Sequence, residues 1–326
     1  MKNDCFSLCH NIENMKRNKN QIISFLCFVV GFLFIIDTTV TAQAVNKYEK
    51  GKELRLLVIG NSFSRNATLY LPQLAAEGGH KLVIRKAEIS GSPLKKHWDA
   101  VEAAEANPDD PKGRPYGGKS LKMLLMDAEW DIITMQQAST QSAYSESYYP
   151  YINHLYNFIK KFQPNAEIVI HQTWPYREDA KYFSKITAEE RAKSAREMWE
   201  KSRAAYHKAA KEFNMRIIPT GDAFWAVSSD PKWKFVRDTD YNFENPVYPE
   251  LPNEKNSLNA GYSWTKSKKL KLDANHASPA GSYLGALTWY SFLFRESPVN
   301  LKFVPDNVPE DFAKHLRETA SKTVLK

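Results

Sequence analysis

Between Leu54 and Ser64 the chain reads L-R-L-L-V-I-G-N-S-F-S. Leu56, Leu57, Val58 and Ile59 form an apolar run without polar alternation, the pattern of a strand buried on both faces in a parallel sheet. Gly60 and the small polar residues after it end that strand and turn the chain toward a helix. Open α/β sheets take their ligands just outside the carboxyl ends of strands. Ser62 therefore stands at a ligand-facing position.

Four more short apolar runs follow, at residues 82–89, 131–135, 167–170 and 215–218. Helical patterns separate them, at 66–77, 94–105, 121–128, 148–162 and 188–213, the last opened by a Thr187–Glu190 capping box. Five strands alternating with helices predict an α/β fold with a doubly wound parallel sheet. Ser278 and Pro279 start a further helix to residue 294, and residues 310–323 form the last one. No internal repeat and no second strand set is evident, so residues 45–326 read as a single domain. Within it, residues 228–272 lack any clear period yet hold Pro231, Pro246, Pro249 and Pro252 and seven aromatics. So many aromatics argue for an ordered loop rather than disorder.

Lys16, Arg17 and Lys19 precede an apolar run at 22–36 and the small residues Ala42-Gln43-Ala44. Those three parts make a secretory signal over residues 1–44, and the run is too short to favour a membrane span. The expectation is an exported protein with no stable membrane association once the signal is cleaved. Cys5, Cys9 and Cys27 all fall in the leader, so the mature chain is expected to have no disulfide, thiolate nucleophile or cysteine metal site. The 45 basic side chains exceed the 37 acidic ones to give +8. They are dispersed among acids and follow no nucleic-acid motif, so a basic surface is expected and nucleic acid is not.

Far from Ser62, Asp273-Ala274-Asn275-His276 precedes the helix that starts at Ser278. Together, G-N-S-F-S and this D-x-x-H resemble the first and last blocks of the SGNH (GDSL-like) hydrolases. The resemblance implies a three-layer α/β/α fold whose five-stranded parallel sheet has flavodoxin-like order. It implies Ser62 as nucleophile, His276 as base and Asp273 as its orienting partner, with Ser64 and His171 as the less well placed alternatives. It implies an oxyanion hole from the backbone N–H groups of Ser62 and Gly91 and a side-chain amide. The family's third block, G-x-N-D, is altered here to Gln136-Gln137. A glutamine carries the same amide donor one methylene farther out, and Gln136 and Gln137 are both open for the role.

Asn61, Trp174, Tyr176 and Arg177 at strand ends, and Trp233, Tyr262 and Trp264 of the aromatic segment, are the candidate substrate contacts. Aromatic faces with interleaved polar groups suit sugar rings; the same aromatics would serve equally to pin the loop onto the sheet. No H-E-x-x-H, paired-carboxylate, G-x-G-x-x-G or Walker-type pattern occurs, so neither metal nor nucleotide cofactor is expected. The expected activity is that of an exported serine esterase on O-acyl esters, O-acetyl foremost, of a small molecule or glycan. The alternatives are a non-catalytic carbohydrate-binding protein and a lipid or thioester hydrolase of the same fold.

Overall fold

The computed structural model describes residues 51–325, which belong to one compact unit; the leader and its cysteines lie outside the described residues. Five parallel strands, β1 (Glu53–Gly60), β2 (Lys81–Glu88), β3 (Ile132–Met135), β4 (Glu167–His171) and β5 (Arg216–Ile218), lie in the order β2-β1-β3-β4-β5. This is the flavodoxin-like arrangement, and its order reverses between β1 and β3. Ser62 follows β1 and Gln136 follows β3, so the switch-point crevice falls between them.

β1 explains the unbroken apolar run. Leu54, Leu56 and Val58 face one core and Leu57 and Ile59 the other, all with 2% exposure or less. The first core is closed by α1 (Ser62–Ala67), α2 (Leu71–Glu77), α7 (Thr220–Ser228), α8 (Pro279–Phe294) and α9 (Glu310–Val324). The second is closed by α3 (Leu94–Ala106), α4 (Leu121–Met126), α5 (Tyr151–Phe162) and the inner face of α6 (Ala195–Glu212). In α8 every residue after Pro279 is buried, as an apolar-all-round helix must be.

Three sequence expectations change. The helix read over 66–77 is two helices, because Pro72 has no N–H for the ladder and its ring would meet the carbonyl of Thr68. The long helix starts at Ala195 rather than 188: Ser194 caps it by accepting from Glu197 N–H, while Thr187 closes only a turn with the N–H groups of Glu189 and Glu190. Residues 228–272 hold most of a two-stranded antiparallel hairpin, β6 (Asn259–Trp264) and β7 (Leu270–Ala277). Asp273 and His276 thus sit on a strand, not on a loop.

Two fully buried histidines set the acid stability. Burial lowers His97 to about 4 and His171 to about 3. Both stay neutral in the folded state while the unfolded chain takes up protons below its ordinary histidine value, so stability falls as pH falls. Between pH 6.5 and 5 the pair should remove about 3 kcal/mol, before most carboxylates titrate. Urea midpoints at the two pH values check this; equal midpoints would contradict it.

Candidate active site

Asn61 is the extended residue that caps α1, its Oδ1 accepting from Phe63 N–H, and this puts Ser62 at the first helical position with its side chain half-buried. Ser62 Oγ lies 2.9 Å from His276 Nε2, and His276 Nδ1 lies 2.8 Å from Asp273 Oδ2. A carboxylate only accepts, so Nδ1 carries the proton and Nε2 is left to accept from the serine. Burial alone would raise the Asp273 carboxyl. The His276 ring N–H and the backbone N–H groups of His276 and Asn275 overcome it and hold the group at about 2.

On a regular strand, residues three apart point to opposite faces. β7 avoids this with a bulge. Gly261 pairs with Asp273 and Asn259 with Ala277, so Ala260 alone faces Ala274, Asn275 and His276. Bulges of this kind re-aim side chains beside active sites, and here one turns Asp273 and His276 toward each other. Two carbonyls of the bulge find partners outside the hairpin's own ladder. Ala274 O accepts from Arg177 N–H and from Asn259 Nδ2, both at 2.9 Å, and Asn275 O accepts from the Trp174 indole at 2.9 Å.

Trp174 is therefore a pin and not a substrate wall. It is 1% exposed and stacks between Phe63, at 4.3 Å, and Phe224, at 4.5 Å, joining the residue after Ser62 to the bulge that carries His276. Trp174→Phe keeps the stacking and deletes the N–H, leaving the half-buried Asn275 carbonyl without its donor at a cost of about 1 kcal/mol. We expect kcat to fall about tenfold or more at temperatures where the variant is fully folded, with KM little changed. A melting curve alongside steady-state kinetics checks this, and full kcat in a folded variant would contradict it.

The other expected substrate contacts divide. Arg177, 5% exposed, is a clamp: it pairs with Asp179 at 2.7 Å and with Glu254, and lies 4.0 Å from the Phe235 ring centre. Trp233 stacks on Phe312 and His315 of α9 and packs against the core. Asn61 is 2% exposed and held in place, its Nδ2 donating to Ser92 O at 3.0 Å and its Oδ1 accepting from Phe63 N–H and Gln136 Nε2. Trp264 lies on the hairpin, its indole donating to Glu250 O. Tyr176 and Tyr262 face a cavity of about 480 Å³ whose wall includes Ala274 and Asn275 of the bulge. A larger cavity of about 710 Å³ lies beyond Tyr176 and Arg177, and neither Ser62 nor His276 lines it. Nor do they line the smaller one, but its wall takes in Ala274 and Asn275, the two residues between Asp273 and His276.

Beneath Ser62 lies a buried polar network that only partly shows in the sequence. Gln136 Nε2 donates to Asn61 Oδ1 at 2.7 Å, and its Oε1 accepts from Ser64 Oγ and from His171 Nδ1, the latter at 3.0 Å. His171 Nε2 accepts from Thr220 Oγ1 at 3.1 Å. Ser64 and His171, both 0% exposed, are spent here, which leaves neither free as nucleophile or base. Gln137 is also spent: its amide nitrogen donates to Ser147 O and Oγ and its oxygen accepts from Leu94 and Ala138. One amide hydrogen of Gln136 remains without a partner among the described residues. Gly60 has to be glycine for this packing, since a Cβ there would come within 3.0 Å of Gln136 Oε1 and closer still to Ser64 Oγ. Gly91 follows β2 with φ +63° and is exposed; its N–H and that of Ser62 donate to no described residue. The helix over Thr220–Ser228, which supplies Thr220, escaped the sequence reading although Thr220 and Asp222 mark its first turn.

Among the described residues no cluster of metal-ligating side chains occurs, and no helix is long and apolar enough to cross a membrane. A DUF4886 family protein from Bacteroides uniformis ATCC 8492 is 21% identical, covering 84% of this chain and 95% of its own with a TM-score of 0.63, and shares the fold. Solved structures with lower scores include a putative GDSL-like lipase from Parabacteroides merdae ATCC 43184 (14% identity, 74% and 96% covered, TM-score 0.42). Another is a phospholipase A1 from Streptomyces albidoflavus NA297 (12%, 72% and 98%, 0.39). No curated protein matches. Residues 55–242, which carry Ser62 and Gln136 but stop short of Asp273 and His276, match a family model, and the chain thus belongs to the family described as Domain of unknown function (DUF4886).

Proposed function

We propose that the protein is a serine esterase that cleaves O-acyl esters, O-acetyl foremost, by the mechanism of the SGNH hydrolases. The observation that carries this reading is the aligned pair of contacts from Ser62 Oγ to His276 Nε2 and from His276 Nδ1 to Asp273. A serine hydroxyl is a weak nucleophile that needs such a base, and the base needs an orienting group.

In this reading His276 Nε2 takes the Ser62 proton as Oγ attacks the ester carbonyl. Asp273 holds the Nδ1–H tautomer and stabilises the imidazolium. The imidazolium then protonates the leaving alcohol, and water attacks the acyl-serine by the same steps in reverse roles. The free N–H groups of Ser62 and Gly91 and the spare amide hydrogen of Gln136 are the available oxyanion donors. Losing one typically costs about 3 kcal/mol of barrier.

The intact relay favours catalysis over a purely carbohydrate-binding role. The nearby cavity, with Tyr176, Tyr182, Tyr262, Lys181 and Lys271, is aromatic and polar, which favours a sugar ester over a lipid or thioester. The secretory pattern in the sequence of residues 1–44 supports a substrate outside the cytoplasm. Hydrolysis of 4-nitrophenyl acetate tests the chemistry. Ser62→Ala should lower kcat/KM by roughly 10⁴-fold with the fold intact, and an unchanged rate would overturn the assignment.

A further inference from the structure

The cavity beside the bulge adjoins a second one, of about 420 Å³, across Tyr262 and Leu270 of the hairpin. Aromatic rings line both. Tyr176 and Tyr262 face the first, with Tyr182 exposed at its mouth, and Phe243, Tyr262 and Trp264 face the second.

The charge lining the two cavities of this strip is mostly positive. The hairpin carries Lys266, Lys268, Lys269 and Lys271, all exposed, and Lys181 stands on the wall of the first cavity. None of the five is ion-paired with a described residue; Lys268 lies 4.9 Å from the Tyr248 ring centre, and the ammonium groups of the other four have no hydrogen bond, ion pair or ring contact among the described residues. Arg191, over the Tyr182 ring at 5.1 Å, donates only to the Phe183 carbonyl. The one carboxylate lining either cavity, Asp179, is held by Arg177 in a two-point contact at 2.7 and 2.9 Å. Two acids of the neighbouring segment are engaged elsewhere: Asp238 accepts from the N–H groups of Asp240 and Asn253, and Glu254 from Arg177 and Tyr262 N–H, while the exposed Asp240, Glu244 and Glu250 line neither cavity. Unpaired cations that border a concave, ring-lined space draw in anions and focus their field there.

We propose that this strip binds an anionic glycan, a chain of sugars bearing carboxylates or sulfates, and presents an acyl ester on one of its hydroxyls to Ser62. The inference rests on the esterase reading and supplies its substrate class. Sugar C–H faces stack on the tyrosine and tryptophan rings, hydroxyls meet Thr140 and Asn275, and the lysines answer the repeated negative charge. Nucleic acid would satisfy the charge but has no carboxylic ester to cleave. A lipid surface would satisfy the charge and the chemistry but asks for aliphatic walls where these are rings.

The test measures acetate release from O-acetylated alginate, a polyuronate, and from O-acetylated xylan, a neutral chain, with 4-nitrophenyl acetate as the small ester. The wild type should act on the polyuronate about tenfold faster than on the neutral chain, and rising salt should erase the difference. In a Lys269→Gln/Lys271→Gln protein the ratio of the two rates should fall toward one. Equal wild-type rates, or a ratio that survives in the lysine variant, would overturn the proposal. So would tighter binding of an oligonucleotide or of phosphatidylglycerol vesicles than of alginate by Ser62→Ala. Failure of the underlying reading looks different: no turnover of any ester, with alginate still bound by Ser62→Ala, would overturn the esterase and keep the anionic strip.

Discussion

An Asp273→Asn protein is expected to fold and yet hydrolyse an activated acetyl ester roughly 10³- to 10⁴-fold more slowly than wild type. Asp273 Oδ2 accepts from His276 Nδ1 while Oδ1 accepts from the His276 and Asn275 backbone N–H groups. Asparagine can keep the backbone contacts through its oxygen, but its NH₂ then faces Nδ1. The ring answers by moving its proton to Nε2, and Nε2 can no longer take one from Ser62. The loss is in kcat, since the hydroxyl and the imidazole stay where they were. The pH dependence follows with its sign. A carboxyl held at about 2, below its ordinary 3.8, favours the folded state above its unfolded value, and this contribution fades as pH falls from 3.8 through about 2. The Asp273 charge is thus constant over any practical assay range. Steady-state kinetics with circular dichroism as the fold control check the prediction, and a loss below tenfold would contradict it.

Replacing Gln136 by leucine should damage both stability and rate. The change removes the acceptor of Ser64 and His171 and the donor to Asn61, three groups buried to 2% exposure or less. Buried polar groups left without partners cost about 1–3 kcal/mol each, and members of one network do not add, so about 3–5 kcal/mol in total is expected. Activity should fall a further 10²-fold or so, because the spare amide hydrogen is lost as an oxyanion donor and Asn61, which ties the Ser92 loop to the nucleophile, is freed. Urea unfolding gives the first effect, and kcat measured well below the melting midpoint gives the second. A stable variant with full kcat would remove Gln136 from the site.

Much of this architecture was legible in the sequence because buried parallel strands are nearly pure apolar runs; β1 through β5 all fall on the stretches that periodicity picks out. The breaks in helices were legible too, but competed with stronger patterns. Pro72 outweighs the apolar stripe around it, and Ser194 with Glu197 outweighs the equally well-formed Thr187 with Glu190. The hairpin was not legible. Its burial alternates weakly, its glycine and asparagines read as loop, and a bulge interrupts its period where Asp273 and His276 lie. Nor does composition tell a clamp from a contact: Trp174 and Arg177 look like binding residues until their stacking and ion-pair partners are known. His171, Ser64 and Thr220 could not be joined to Gln136 from spacing, since they come from four separate parts of the chain.

Covalent trapping tests the central claim most directly. The protein would be incubated with diethyl 4-nitrophenyl phosphate, which phosphorylates an activated serine, and the adduct located by peptide mass spectrometry. The account requires a single adduct on Ser62 that is absent from Ser62→Ala and formed far more slowly by His276→Ala. An adduct on Ser64 or elsewhere, or continued ester hydrolysis by a protein that no reagent of this kind labels at Ser62, would contradict it.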